Sequence, residues 1–280
     1  MKLHTIDTGF FKLDGGAMHG VVPKSLWSKK NPADENNMCS WAMRCLLVED
    51  GDRLILIDNG LGTKQDAKFF SYYFLHGDAT LEKSLKAKGF DFSDITDVFL
   101  THLHFDHCGG SISKKDDKLY TTFPKATYWS NEEHWEWATK PNAREKASFL
   151  KENILPIQES GQLKFFKKDE ELIPGFTAWF TYGHTGAMML PHIQYKGKTL
   201  VYTADLLPSA AHVTLPWIMA YDTQPLKTLS EKEEFLSKAA ANEYVLFFEH
   251  DYKNECGIIE QTDNNFRVKE TFSLEQAFER

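Results

Sequence analysis

The alternation of apolar and polar positions along the chain predicts short strands interleaved with helices. Segments rich in β-branched and aromatic residues are expected as strands: Met43–Val48, Arg53–Ile57, Val98–Thr101, Thr127–Trp129, Thr177–Tyr182, Met189–Gln194, Thr199–Thr203 and Tyr244–Glu249. Glu49-Asp50-Gly51-Asp52 and Lys196-Gly197-Lys198 read as hairpin turns between consecutive strands. Helices are expected over Ala79–Lys88, closed by Gly89, and over Glu231–Ala241, where Ser230 and Glu233 have the spacing of a capping box. Asn131–Ile154 also reads as helix, interrupted near Lys140-Pro141-Asn142. Trp135 and Trp137 lie two positions apart and cannot share one helical face, so one of them turns away from the core, toward a pocket or into the packing of a lid segment.

No internal repeat, low-complexity tract or long Pro-, Gly- or Ser-rich linker interrupts this pattern. The chain is therefore expected to form a single domain, 1–280, of the α/β class with mixed sheets. With 42% hydrophobic and 26% charged residues it has the make-up of a packed globular protein, which excludes a disordered or fibrous one. A net charge of -8 with scattered acidic residues argues against a nucleic-acid surface, which needs clustered cations. Cys39, Cys45, Cys108 and Cys256 include no C-x-x-C pair, so free thiols in a reducing compartment are expected. Met1–Phe10 alternates in polarity around Asp7 and lacks a signal-peptide core, and no apolar run approaches the ~18 residues of a membrane helix. The expected setting is cytoplasmic, with a small-molecule partner, neither nucleic acid nor membrane, and a monomeric or homodimeric state.

Candidate chemistry concentrates in DVFLTHLHFDHCGG, Asp97 to Gly110. An apolar strand runs into His102, His104, Asp106 and His107. Residues two apart in an extended chain point the same way, so His102 and His104 can reach one cation together. Asp106 and His107 follow as the chain turns and can face a second, while Gly109 and Gly110 let the backbone turn sharply. Ordinary surface histidines are the alternative, but three histidines and an aspartate within six positions after a buried strand point to metal. Cys108, beside a ligand, reads as a buried inert thiol.

H-x-H-x-D-H after a hydrophobic strand resembles the signature of the metallo-β-lactamase superfamily. Matching positions follow in order. Asp58 in LILIDNGLG resembles the aspartate that supports the metal loop, and His184 in TYGHTGAMML resembles the family's G-H-T segment, with Gly186 in place of the usual proline. Asp205 in LVYTADLLP resembles the metal-bridging aspartate, and His250 in VLFFEHDY the late histidine. The resemblance implies an αββα sandwich of two mixed β-sheets flanked by helices. It also implies two divalent metal ions: His102, His104 and His184 for the first, Asp106, His107 and His250 for the second, and Asp205 for both. Nitrogen and oxygen ligands suit zinc, and also manganese, iron or cobalt.

Within the family, the whole chain resembles the quorum-quenching N-acyl homoserine lactonase-like hydrolases and their organophosphate-hydrolysing relatives. The implied activity is metal-dependent hydrolysis of a lactone or carboxylic ester, with phosphotriester hydrolysis or an iron-bearing oxidoreductase as alternatives. FFKLDGGAMHGVVPK and AAHVTLPWIMAYD carry this likeness and could wall a pocket for an acyl chain; His19, Trp217 and Tyr221 are the candidate substrate contacts. Asp106 and His212 are the candidate proton-transfer residues. Lactonases of this kind have a tyrosine three residues after the bridging aspartate, where this chain has Pro208; Tyr202 or Tyr221 is the candidate replacement. His4, His76, His134 and His192 have no motif context and are expected in surface or structural roles. A nuclease would need a basic arm and a glutathione-conjugate thioesterase a basic helical tail, and neither pattern is present.

Overall fold

The computed structural model describes residues 1–263 and 265–279. In chain order the strands are β1 (Lys2–Asp14), β2 (Met38–Asp50), β3 (Arg53–Ile57), β4 (Asp97–Phe99), β5 (Ile112–Lys115), β6 (Lys118–Thr121), β7 (Thr127–Ser130), β8 (Leu163–Phe165), β9 (Phe176–Thr181), β10 (Met188–Tyr195), β11 (Lys198–Tyr202), β12 (Val245–Phe247), β13 (Cys256–Gln261) and β14 (Phe266–Phe272). They form one sheet of order β1-β2-β3-β4-β7-β8, a second of order β14-β13-β12-β11-β10-β9, and the small hairpin β5-β6. Both large sheets are mixed, as expected: β3, β4, β7 and β8 run parallel beside an antiparallel β2, and β11 and β12 are parallel within an otherwise antiparallel sheet.

The chain divides into two compact units, Met1–Gly9 with Met43–Glu170, and Phe10–Ala42 with Glu171–Arg280. In the first, Ile6, Leu47, Leu56, Val98 and Tyr128 from the sheet pack with Leu85, Trp135, Ala138, Ile154 and Ile157 from helices. Those helices are Leu81–Ala87, Glu132–Thr139 and Lys151–Glu159. Thr80 and Asn131 cap the first two by accepting from the backbone N–H of Lys83 (3.2 Å) and His134 (2.8 Å). The expected long helix over 131–154 is thus two helices, separated where Pro141 removes a donor and turns its predecessor away from helical geometry. Trp135 enters the core, whereas the Trp137 indole donates to Glu145 (2.7 Å).

In the second unit, helix Pro225–Ala241 buries Thr228, Lys232, Phe235, Leu236 and Ala239, a stripe at helical spacing, with Phe235 against Trp179 of β9. This helix begins six residues before the expected start at Glu231, because Pro225 at its first position supplies a fixed φ and lacks an N–H the helix would leave unused. Ser230 lies inside the helix, its hydroxyl donating to Lys227 O (3.0 Å), so the expected capping box does not form there. Ser273 and Gln276 make one instead, at helix Leu274–Ala277. Both expected hairpins form; Lys196 (φ 49°) and Gly197 (φ 77°) share the left-handed backbone of a tight reversal. Strands β1, β5, β6, β8, β13 and β14 are not among those the sequence pattern picks out. All four cysteines are buried and none is in a disulfide, and no described helix is long and apolar enough to cross a membrane.

Candidate metal centre

Parallel strands deliver their carboxyl ends to the same sheet edge, which is where loops can gather polar groups. In the first unit β3 and β4 are such a pair; Asp58 follows β3, and Thr101, His102 and His104 follow β4. In the second, β11 and β12 are parallel, and β9 shares their direction because β10 is antiparallel to both β9 and β11. His184 follows β9, Asp205 follows β11, and His250 follows β12.

The first unit holds its histidines through Asp58, a buried residue in the left-handed region (φ 54°). The Asp58 carboxylate accepts from Thr101 N (2.8 Å), from Thr101 Oγ1 (2.7 Å), and from His107 Nδ1 (3.0 Å). Because the Thr101 hydroxyl proton goes to the carboxylate, its oxygen accepts from His102 Nδ1 (3.0 Å). His102 and His107 therefore carry their protons on Nδ1 and present lone pairs at Nε2. His102 Nε2 lies 3.1 Å from His104 Nδ1, and His107 Nε2 lies 3.9 Å from Asp106 Oδ2. His104 turns its own Nε2 to Glu145 Oε1 at 3.4 Å. The backbone of this loop is fixed by Leu103 N–H donating to His134 Nε2 (2.8 Å), Asn59 N–H to His107 O (2.9 Å), and Gly110 N–H to Gly60 O (3.0 Å). Lys64, its ammonium pushed down by burial to about 8, donates to Gly109 O (2.6 Å).

The second unit centres on Asp205, whose Oδ2 lies 3.1 Å from His184 Nε2 and whose Oδ1 lies 3.2 Å from His250 Nε2. Asp222 accepts from His184 Nδ1 (2.8 Å), and Ala42 O accepts from His250 Nδ1 (2.7 Å). Burial opposes charge on His184, yet Asp205 and Asp222 together push its ring up to about 10, so this carboxylate pair calls for a positive charge between them. Glu231 accepts from the backbone N–H of Tyr182 (2.9 Å) and Gly183 (2.9 Å), which sets the turn carrying His184.

Both halves suit metal. Zinc–nitrogen bonds of ~2.0–2.1 Å at a tetrahedral angle put two ligand nitrogens roughly 3.3 Å apart, close to the 3.1 Å between His102 Nε2 and His104 Nδ1. Lone pairs facing each other, or facing a carboxylate as His250 Nε2 faces Asp205, repel unless a cation stands between them. His102 and His104 fall in one group of side chains able to hold an ion, and Asp106 and His107 in another.

The candidate pocket segments also meet within the second unit. His19 is fully buried and stacks on Trp27 (5.2 Å) and on His212 (4.8 Å), with Trp217 edge-on (5.6 Å). Burial pushes His19 down to about 4. His212 Nε2 donates to Met18 O (2.8 Å) and its Nδ1 accepts from Ser209 Oγ (2.8 Å). Buried and with both nitrogens engaged, His212 is held neutral, its pKa well below the ordinary value. Lys232, fully buried and pushed down to about 7, donates to Thr214 O and Trp217 O (both 2.8 Å) and fixes the segment that carries Trp217. Tyr221 is 41% exposed, whereas Tyr202 is fully buried against Phe247 and has no access to a ligand.

Asp222, Glu145, Glu231 and Tyr73 escape a sequence reading because their partners are distant in the chain and no motif surrounds them, while His134, expected in a surface or structural role, takes a buried structural one. Tyr73 packs on Phe105 (4.8 Å); burial and the Asp106 charge push its phenol up to about 12, so it stays protonated.

Residues 44–250 match the family model described as Metallo-beta-lactamase superfamily. The chain is 23% identical over 269 residues to an N-acyl homoserine lactonase of Bacillus cereus, covering 91% of this chain and 95% of that protein. It is similar to the crystal structure of a probable metal-dependent hydrolase from Staphylococcus aureus, with TM-score 0.88, 28% identity, and coverage of 98% and 97%. It shares its fold with AidC, a dizinc quorum-quenching lactonase solved with a product, N-hexanoyl-L-homoserine, at TM-score 0.77, 24% identity, and 97% coverage of each chain.

Proposed function

The chain belongs to the metallo-beta-lactamase superfamily and is a metal-dependent hydrolase of that fold, and from this we propose that it hydrolyses a lactone or carboxylic ester, with N-acyl homoserine lactones the first class to test. In this reading the two ligand sets make one centre in a single domain, 1–280. His102, His104 and His184 take one cation, Asp106, His107 and His250 a second, and Asp205 both. The observation that carries it is the orientation of the imidazoles: an oxygen holds one nitrogen of each of His102, His107, His184 and His250, and the other nitrogen faces a neighbouring ligand.

Bound divalent cations, zinc or a neighbouring transition metal, would supply Lewis acidity toward the substrate carbonyl and acidify water near neutral pH. Asp106 accepts the proton of the attacking water and returns it to the leaving oxygen. The Tyr73 phenol, kept protonated by burial and the Asp106 charge, and Tyr221, which is 41% exposed, are the donors available in place of the tyrosine that Pro208 replaces. Trp217 and Tyr221 are the candidate wall for the acyl group, with His19, fully buried, packed behind Trp217. His212 is a positioning residue, since its ring is committed to Met18 and Ser209.

The test is metal analysis of the purified protein with turnover measured on acyl homoserine lactones, aryl esters and phosphotriesters, before and after chelation. Hydrolysis of the first class that is lost on chelation and restored by zinc is the expected result. Activity that survives complete metal removal, or activity on phosphotriesters alone, overturns it. For His212→Ala, stability should fall by about 2–4 kcal/mol through a cavity and unpartnered polar groups, while the pH–rate profile keeps its shape. Loss of one limb of that profile would return His212 to the proton-transfer role.

A further inference from the structure

Among the imidazoles of the proposed centre, three meet carboxylates away from the neighbouring ligands: His107 with Asp58, His184 with Asp222, and His104 with Glu145. His102 and His250 meet neutral oxygens, Thr101 Oγ1 and Ala42 O. Glu145 belongs to the segment after the helix Glu132–Thr139, and no metal motif includes it. Its side chain is 4% exposed, a costly place for a carboxylate without purpose-built partners. Oε2 accepts from Trp137 Nε1 (2.7 Å) and Asn142 Nδ2 (2.6 Å), and its backbone N–H donates to Asn142 Oδ1 (3.1 Å). These contacts leave Oε1 aimed at His104 Nε2. Around it, Phe105 N–H donates to Ser148 O (3.0 Å) and the Phe149 ring packs on His104 (4.8 Å), so the whole segment 142–149 is fastened to the ligand loop.

We propose that Glu145 is a positioning residue for the metal centre, a carboxylate that fixes the ring and tautomer of His104 and strengthens its donation through Nδ1, with Trp137 and Asn142 holding it in place. The inference rests on the ligand assignment above. A carboxylate behind a ligating imidazole holds its proton on the far nitrogen and raises the basicity of the near one. Counting Glu145, the cation of His102, His104 and His184 has two carboxylate-backed imidazoles, and the cation of Asp106, His107 and His250 has one. The first cation is therefore the one that Glu145 tightens.

The experiment titrates wild type, Glu145→Gln and Trp137→Phe, each loaded with zinc, against a chelator while zinc content is measured, and records the visible absorption of the cobalt-substituted proteins. In Glu145→Gln one of two zinc ions should dissociate about 10–100-fold more readily, the second should not move, and the cobalt bands should shift. Trp137→Phe should shift the same ion in the same direction by less. Wild type that binds no metal overturns the ligand assignment itself. Wild type that binds two ions, with Glu145→Gln matching it in affinity and cobalt spectrum, overturns the role of Glu145 alone. Equal weakening of both ions with unchanged cobalt bands indicates general loosening and also overturns it.

Discussion

Asp205→Ala should lower kcat/KM by on the order of 10³-fold, the scale on which a preorganised electrostatic group acts in an active site, and should reduce bound metal below two ions. The two oxygens of Asp205 each meet a different imidazole, at 3.1 Å from His184 Nε2 and 3.2 Å from His250 Nε2. Removing the carboxylate takes from the proposed cations the anion they share and leaves two nitrogen lone pairs facing a void. Asp205→Asn keeps the shape and removes the charge, so it should fall between wild type and alanine in metal content. Zinc stoichiometry and steady-state turnover measure both effects. An alanine variant that keeps two ions and activity within about tenfold of wild type would be incompatible with a bridging role.

Gly109→Ala should lower stability by about 1–3 kcal/mol or more, as overpacking against rigid neighbours does, and should weaken metal binding with it. The sequence explains this glycine by a sharp turn, but its backbone is ordinary and right-handed, at φ -60° and ψ -34°. What excludes a side chain is proximity: a Cβ there would collide with the backbone of Leu61, and Gly60 O would stand only 3.0 Å away. Alanine would be conformationally welcome at such angles, so any loss comes from displacing the loop 58–62 that holds His107 and Gly110. Gly89→Ala is the control. It has open space and a left-handed φ of 88°, and should cost about 1 kcal/mol from backbone strain alone. Thermal unfolding with and without zinc separates the two, and a Gly109 variant no less stable than the Gly89 variant would contradict the packing explanation.

The central strands, and the candidate ligands that follow them, were legible because burial on a sheet imposes apolar runs after which His102, His184, Asp205 and His250 come within a few residues. Strands β1 and β14, the outer strands of their sheets, were hidden because edge positions alternate with charged residues, and Lys2 and Glu49 or Arg267 and Glu260 read as solvated charges until pairing makes them neighbours. Helix 225–241 was shortened because Ser230 and Glu233 mimic a cap, whereas Pro225 in fact starts the helix.

By itself the sequence determined the kind of chemistry, since imidazoles and carboxylates at close spacing after buried strands are intrinsic to the chain. It did not determine which nitrogen each imidazole presents. For His107, His184 and His250 that depends on Asp58, Asp222 and Ala42, which lie tens of residues or more away, and only folding brings those oxygens to the far side of the rings; for His102 the oxygen is that of its neighbour Thr101, itself held by Asp58. Only the tertiary structure likewise buries the His212 ring, which holds it neutral, and brings Met18 O and Ser209 Oγ to its two nitrogens.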